Sequence, residues 1–565
     1  MKKYLIILIL FLSLFLRVWK LNKVPVSLFG DETDVGYQAY SILKTGRDYY
    51  GNFMPIHFHS LAEWRTPLYL YSAVPTVAIF GITPWGVRLP AAIFGVLSVY
   101  ALYLLLKKVF EDENLALFSA FLMAINPWSI QYSRAGFEVT QMIFLIILGL
   151  YFFFCSLQKN GKGLWIAILL LTLTPWVYST AKLFLPLLYI FMFINWRKEI
   201  LSFSKKHLIV AIVTFVVVGG PIVLSTLLGG GAQRIGDISV FSDPKISYVV
   251  GLDRINDAQM RGEYDSRIKL TFVDRLLHNK FIFINGEIAK NYLKSFSTDF
   301  LFITGDQNPR HSIGIGEFYK IDSLLLLLGL GIFFFGKIDK KIKYFIAFWI
   351  LVGALPSSLT QNGGNHATRL ILILPPLIVM IAYGLVKGVK RIPKVGNYLM
   401  FVYFIFLSIS FFFFQHQYWI HNPWWSETWW HYGFQEAIQS VKEVEGNYDQ
   451  IVISTAKEPP WVFFAAFYNY PPREWQLNFP INNVVELTNF GRVSHIGKFY
   501  FGSPQAGGVY DWGKIMNNKT LYLASATEVP MDLVLEPERV PGDLTLLKTI
   551  TYPSGKPVFY LFTGK

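Results

Sequence analysis

The stretch FGDETDVGYQAYSILKTG, beginning at Phe29, places Asp31, Glu32 and Asp34 within four residues. They follow an apolar block over residues 4–19, so they fall where that block leaves a membrane. Acids in the first turn of a helix offset its macrodipole, and Asp34 is expected to do only that. Asp31 and Glu32 suit a second task. A carboxylate partly desolvated at a membrane surface gains proton affinity, which makes it a candidate general base.

A further acid, Glu138, lies in NPWSIQYSRAGFEVTQ, with Arg134 four residues earlier. As an exposed i,i+4 salt bridge the pair contributes only a few tenths of a kcal/mol, roughly 0.2–0.5. Charges kept at the edge of an apolar span more often mark a function. Cations recur at the starts of other apolar blocks: Arg65 in EWRTPLYLY, Arg88 in GVRLPAA, Lys182 in WVYSTAKLFLPL, and Arg369 with His366 in GGNHATRLILILPP. Arg88 is read as a snorkelling anchor. The rest, with Arg134, form a candidate set for an anion, and a phosphate on a lipid is the economical choice.

These residues need helices to present them. The chain has 565 residues, 53% hydrophobic, 17% aromatic and 16% charged. That is too apolar for an ordinary soluble protein. Eleven segments read as membrane helices: 4–19, 86–106, 114–126, 137–157, 163–177, 181–195, 208–228, 321–336, 343–358, 369–386 and 397–416. No small-x-small cleavage site follows the first, which reads as an uncleaved signal anchor. The basic loops Lys107-Lys108, Lys159 to Lys162, Arg197 to Lys206, Lys337 to Lys343 and Lys387 to Lys394 then share one side. The net charge of +14 is therefore topological, and nucleic acid is not needed to explain it. The only cysteine, Cys155, lies inside a segment, so no disulfide is expected outside.

The expected fold is a mostly α polytopic membrane protein with a small C-terminal extracytoplasmic α/β domain. Residues 1–418 form the membrane domain, with external loops 22–85 and 229–318, and 419–565 the outer domain. Within 22–85, DVGYQAYSILKTG reads as a helix stopped at Gly46, and TPLYLYSAVPTVAIFG as an interfacial segment. HNPWWSETWWHYG suits a membrane interface. Beyond it, DQIVIST reads as a strand, PPWVFFAAFYNY as a helix, and LTLLKTITYPSGKPVFYLFTG as a hairpin turning at Ser554-Gly555.

No P-loop, dinucleotide fingerprint or zinc-type Cys/His spacing occurs. No cofactor is required by these residues. A divalent metal stays open, since Glu138, His366 and Asp31 offer oxygen and nitrogen ligands.

The ordered set GDE, GYQAYSILKTG, EWRTPLYLY and RLPAAIFG, followed by NPWSIQYSRAGFE, YSTAKLFLPL, GDQNPRHSIGIGEFY and NHATRLILILPPL, resembles the GT-C membrane glycosyltransferases. Its likeness is to the protein O-mannosyltransferase and aminoarabinose-transferase group (glycosyltransferase family 39 type, bacterial branch). The resemblance implies a sugar donor on a polyprenyl phosphate and a lipid, glycan or protein acceptor on the outer face of the cell membrane. By position Asp31 resembles that group's catalytic first-loop Asp, and Glu138 its acid after the third span. Arg65 replaces the Lys that holds the donor phosphate in many relatives, and Lys182 stands where Arg is frequent. The implied chemistry is a single inverting displacement, with Asp31 taking the acceptor's proton and the cations steadying the leaving phosphate.

Two alternatives stay beside it. WWHYG (Trp429 to Gly433) is one letter from the WWDYG motif of oligosaccharyltransferases, with His431 in place of the Asp. A lipid or polysaccharide transporter would share the hydropathy, but it would favour inverted repeats and mid-span charges.

Overall fold

The computed structural model describes residues 2–60, 63–229, 233–265, 268–391 and 393–565. All eleven apolar segments are helical. Among the described residues five helices are long and apolar enough to cross a bilayer: Pro84–Phe110, Val139–Gln158, Lys205–Leu228, Ala367–Gly388 and Val395–Trp425. The first helix, Lys2–Val18, has 17 residues. Others, such as Leu68–Phe80 and Asp322–Phe335, are shorter still. A full span takes about 20 residues, so length supports five crossings where the sequence reading has eleven. Proline accounts for part of the shortening. Helix Leu164–Thr172 gives way to a 3₁₀ turn at Pro175, and Pro186 interrupts the ladder of Ala181–Asn195. The basic loop Lys387 to Lys394 includes residue 392, which lies outside the described residues.

Ala367–Gly388 is the most deeply buried of the long helices. Asp322–Phe335 packs closely along it, and a Cβ at Gly329 would collide with the Met380 carbonyl, one at Gly384 with the Leu325 carbonyl. Small residues let apolar helices approach where no hydrophobic force drives them together.

Arginines tie the first helix in place. Arg17 is fully buried and donates to Ser129 Oγ (2.7 Å) and the Ala124 carbonyl (3.0 Å). Arg134 donates to the Leu16 and Val24 carbonyls at 2.9 and 2.8 Å and lies over the Trp419 ring.

In the 22–85 region, helix Gly30–Thr45 ends at Gly46, whose φ of +68° suits glycine and whose N–H reaches the Ile42 carbonyl. An antiparallel ribbon follows, β1 (Phe58–Ser60) against β2 (Glu63–Arg65), and then helix Leu68–Phe80 with Pro75 inside it. Among its described residues the 229–318 region holds several helices, chiefly Lys245–Met260 and Lys280–Lys294.

The C-terminal part is built on a seven-stranded sheet. Its strands are β3 (Gln450–Ile453), β4 (Val484–Leu487), β5 (Gly491–Ile496), β6 (Phe499–Phe501), β7 (Thr520–Ser525), β8 (Leu544–Thr551) and β9 (Pro557–Gly564), in the order β4-β5-β6-β3-β7-β9-β8. β3 is parallel to both β6 and β7, and the outer pairs are antiparallel. The strand, the helix (Trp461–Tyr468) and the hairpin expected from sequence are all present. Every residue of β7 is buried, as in a strand covered on both faces.

Helix Gly30–Thr45 belongs to two neighbourhoods. Tyr37 packs into the aromatic core beside the sheet and donates to the Tyr470 carbonyl at 3.0 Å. Gln476 donates to Ser41 Oγ and Thr45 Oγ1. On its other face Val35 and Ala39 pack with Tyr69, Leu70 and Val87 of the helical part.

Candidate active site

Asp31 stands at the start of helix Gly30–Thr45 with its side chain half-exposed, and its carboxylate meets Arg65 at 2.6 Å. Arg65, at the end of β2, is only 7% exposed. The donor-side cation expected at position 65 therefore pairs with the proposed base.

Glu32 does not share that role. Both its oxygens are 2.7 Å from the Arg88 guanidinium, and Gly136 N–H donates to Oε1 at 2.7 Å. Both side chains of this ion pair are buried. Arg88 also donates to the Pro25 carbonyl at 2.8 Å. Two readings are corrected together: Arg88 does not snorkel, and Glu32 is held by three hydrogen bonds in a buried pair, away from solvent that would carry protons. It acts as a clamp between the first insertion and the 134–138 turn.

Asp34 is fully buried and accepts from Tyr49 Oη at 2.7 Å. Burial pushes its carboxyl up to about 6, against the opposing pull of Arg65 and the Tyr49 hydrogen bond. A capping acid on the surface would not behave this way.

Glu138 occupies the N-cap position of helix Val139–Gln158, half-buried. Its turn is pressed onto the Asp31 region through Gly136 on Glu32 and through Phe137, whose ring lies 5.8 Å from that of Phe29. The acids at 31 and 138 thus come from segments in direct contact. Arg134 is a correction. Its guanidinium is spent on backbone carbonyls of residues 16–24 and on Tyr418 Oη, buried beneath the turn, so it is not placed to hold a donor phosphate.

Lys182 and Arg369 do converge. Both line one cavity of about 340 Å³, with Ser179, Thr180 and Thr360. Arg369 donates to Thr360 Oγ1 at 2.7 Å. Lys182 also borders a second, nearly all-apolar cavity of about 230 Å³ between helices Ala181–Asn195 and Lys205–Leu228. Its Nζ is 3.4 Å from His57 Nε2, and His57 Nδ1 is 2.6 Å from Ser225 Oγ. Burial and the Lys182 charge push His57 down to about 4, so it is neutral near pH 7 and accepts from Lys182. Thr66, next to Arg65, donates to the Val177 carbonyl at 2.6 Å, which joins β2 to the turn before Lys182.

His366 departs from the cation set. Its ring lies 4.9 Å from that of His311, and with Asp306 the two histidines form the one group of metal-ligand types within mutual reach among the described residues. This differs from the Asp31, Glu138 and His366 combination considered from sequence.

The HNPWWSETWWHYG stretch is only partly an interfacial patch. Trp424, Trp425 and Trp429 are exposed, whereas Trp430 is fully buried, edge-on to Phe29 and under the Arg88 guanidinium. His431 Nδ1 accepts the Gly30 N–H at 3.2 Å, and its Nε2 is 3.4 Å from Glu458. Arg310 stacks on both Phe29 and Trp429. Neither Arg88 nor His431 was placed at the site by spacing, since Glu32 and Gly30 are remote from them in sequence; Asp306 and His311 are five residues apart, but His366 is remote from both.

Residues 65–222, a little over a quarter of the chain, match the family model described as dolichyl-phosphate-mannose-protein mannosyltransferase. Over that segment the GT-C resemblance is borne out. The Bacillus subtilis protein named "Putative mannosyltransferase YkcB" is 27% identical over 164 residues, covering 28% of this chain and 22% of that one. Dolichyl-phosphooligosaccharide-protein glycotransferase 2 of Pyrococcus horikoshii is 39% identical over 80 residues, covering 14% and 10%. The matches span between 10% and 40% of those relatives' own length. Among solved structures, ArnT from Cupriavidus metallidurans bound to undecaprenyl phosphate aligns over 99% of this chain and 97% of its own, at 10% identity and a TM-score of 0.48.

Proposed function

We propose that this protein is a membrane glycosyltransferase that moves a sugar from a polyprenyl-phosphate donor to an acceptor at the outer face of the cell membrane. The observation that carries the reading is the position of Lys182. It stands between an apolar groove suited to an isoprenoid chain and a cavity it shares with Arg369, suited to a phosphate. The matching family's name gives the same class of donor.

In the reaction, Asp31 takes the proton from the acceptor hydroxyl or amine as that atom forms its bond to the anomeric carbon. The bond from that carbon to the phosphate oxygen breaks, and its electron pair stays on the lipid phosphate. Lys182 and Arg369 offset the charge that develops there. One displacement inverts the anomeric centre. Arg65 orients the Asp31 carboxylate through their ion pair, and Glu138 faces the sugar from the neighbouring turn. With the eleven spans read from sequence, the positive-inside rule sets the basic loops on the inner side and residues 229–318 and the C-terminal sheet region on the outer side.

Incubating the full-length protein with polyprenyl-phosphate sugars and measuring release of lipid phosphate tests the reading. Release by the native protein and not by Asp31→Asn supports it; equal release by both ends it. A second reading, transfer to protein amide nitrogen, is favoured by the placement of His431 of WWHYG on the Asp31 helix. A peptide acceptor in the same assay separates the two.

A further inference from the structure

The loop after helix Lys280–Lys294 returns sharply between residues 305 and 317. Gly305 has φ +72°, and a Cβ there would strike the Ile315 carbonyl. This return brings Asp306 and His311 beside His366, which precedes helix Ala367–Gly388. The ligand atoms of the three side chains all lie within 4.8 Å of one another.

We propose that Asp306, His311 and His366 bind one divalent cation of the zinc or manganese type. A single carboxylate with two imidazoles is a mixed oxygen and nitrogen set, which suits borderline and transition cations over calcium. Three protein ligands leave a coordination position for water or a substrate oxygen.

The surroundings are those of an oriented ligand set. Asp306 Oδ1 accepts the Asn308 N–H at 2.9 Å and Oδ2 the Ala367 N–H at 2.8 Å, so backbone donors fix the carboxylate as outer partners fix metal-bound carboxylates. His311 Nδ1 is hydrogen-bonded to the same Oδ2 at 2.9 Å, which keeps the imidazole beside the carboxylate. The His311 ring is held by Phe137 at 5.6 Å and Tyr132 at 6.2 Å. Tyr132 Oη in turn meets Thr368 Oγ1 at 2.8 Å. Bringing all three atoms onto one ion takes a rearrangement of the imidazoles, with the His311–Asp306 hydrogen bond replaced by bonds to the cation. The cation would lock the 126–138 turn to the head of helix Ala367–Gly388. It would set a positive charge one residue from Glu138 in the chain of contacts and three residues from Arg369 in sequence.

The test is Zn²⁺ titration, followed by calorimetry, of untagged, metal-stripped full-length protein in detergent, with Ca²⁺ as comparison. One tight Zn²⁺ per chain is expected, with Ca²⁺ bound at least tenfold more weakly. His311→Ala and His366→Gln should each weaken Zn²⁺ binding tenfold or more. Their metal-free thermal midpoints, compared with that of the native protein, establish that they are folded; Asp306→Asn serves if either is not. The exposed pair His416 and His421, with Nε2 atoms 3.1 Å apart, lacks a carboxylate and is the control. His416→Ala should leave the tight site intact. No saturable binding, binding that survives in folded His311→Ala and His366→Gln, or loss in His416→Ala would overturn the proposal. The readout is binding and not sugar transfer, so its failure leaves the Asp31 reading standing, and the converse holds.

Discussion

His431 Nδ1 accepts the backbone N–H of Gly30 at 3.2 Å, across 401 residues of chain. Gly30 opens the helix that presents Asp31, and Phe29 before it offers no side-chain cap. The C-terminal region thus supplies from a distance the acceptor that Ser, Thr or Asp normally supplies from the N-cap position.

His431→Ala should therefore cost about 1 kcal/mol of local helix stability. Turnover should fall severalfold while donor KM is unchanged. His431→Asn should restore most of it. The Asn Oδ1 lies at the same branch position as His Nδ1, and Asn tolerates the positive φ of 49° found there. Equal activity of His431→Ala and native protein would show that this bond does not position Asp31.

Asp31→Asn should lower turnover on the order of a hundredfold to ten-thousandfold, with donor binding retained. Lys182→Ala and Arg369→Ala should act mainly on donor affinity, since both face the proposed phosphate cavity. Single-turnover kinetics separate the two effects. Loss of donor binding in Asp31→Asn would move that residue out of the proton-transfer role.

Glu32→Gln probes a structural pair. It leaves the buried Arg88 charge uncompensated, a change that costs about 3–5 kcal/mol in comparable buried pairs. The expected result is a lower thermal midpoint and poor yield, with normal turnover per folded molecule. A folded, stable and inactive Glu32→Gln protein would return Glu32 to catalysis.

Asp34 predicts a pH dependence. Its carboxyl is raised from 3.8 to about 6, chiefly by burial. The folded state therefore holds a proton that the unfolded state releases, and stability declines as pH rises from about 4 to 6. At neutral pH the penalty is at most about 3 kcal/mol. Asp34→Asn keeps the acceptor for Tyr49 and should raise the thermal midpoint at pH 7.5 more than at pH 4.5. An equal change at both pH values would show that Asp34 stays ionised.

Several features were legible in the sequence because they are local. Apolar blocks of given length became helices, Gly46 ended one, and Ser554-Gly555 turned the hairpin between β8 and β9. The acid at 31 was conspicuous because GDE follows an apolar block. Lys182 and Arg369 could be nominated together because a cation at the head of a span needs an explanation wherever it occurs.

What tertiary structure decided is which charge meets which. Glu32 finds Arg88 56 residues on, Arg134 finds Tyr418 at a separation of 284, and Asp306 reaches Ala367 at 61. Periodicity reports which face of an element is buried. It is silent on the partner brought to that face, because pairing depends on how helices and loops pack in three dimensions. A buried charge must be matched, and several donors and acceptors compete to match it. Packing therefore turned Glu32 and Arg134 from site candidates into braces, set His431 of WWHYG on the helix that presents Asp31, and brought His311, unremarkable in sequence, beside His366.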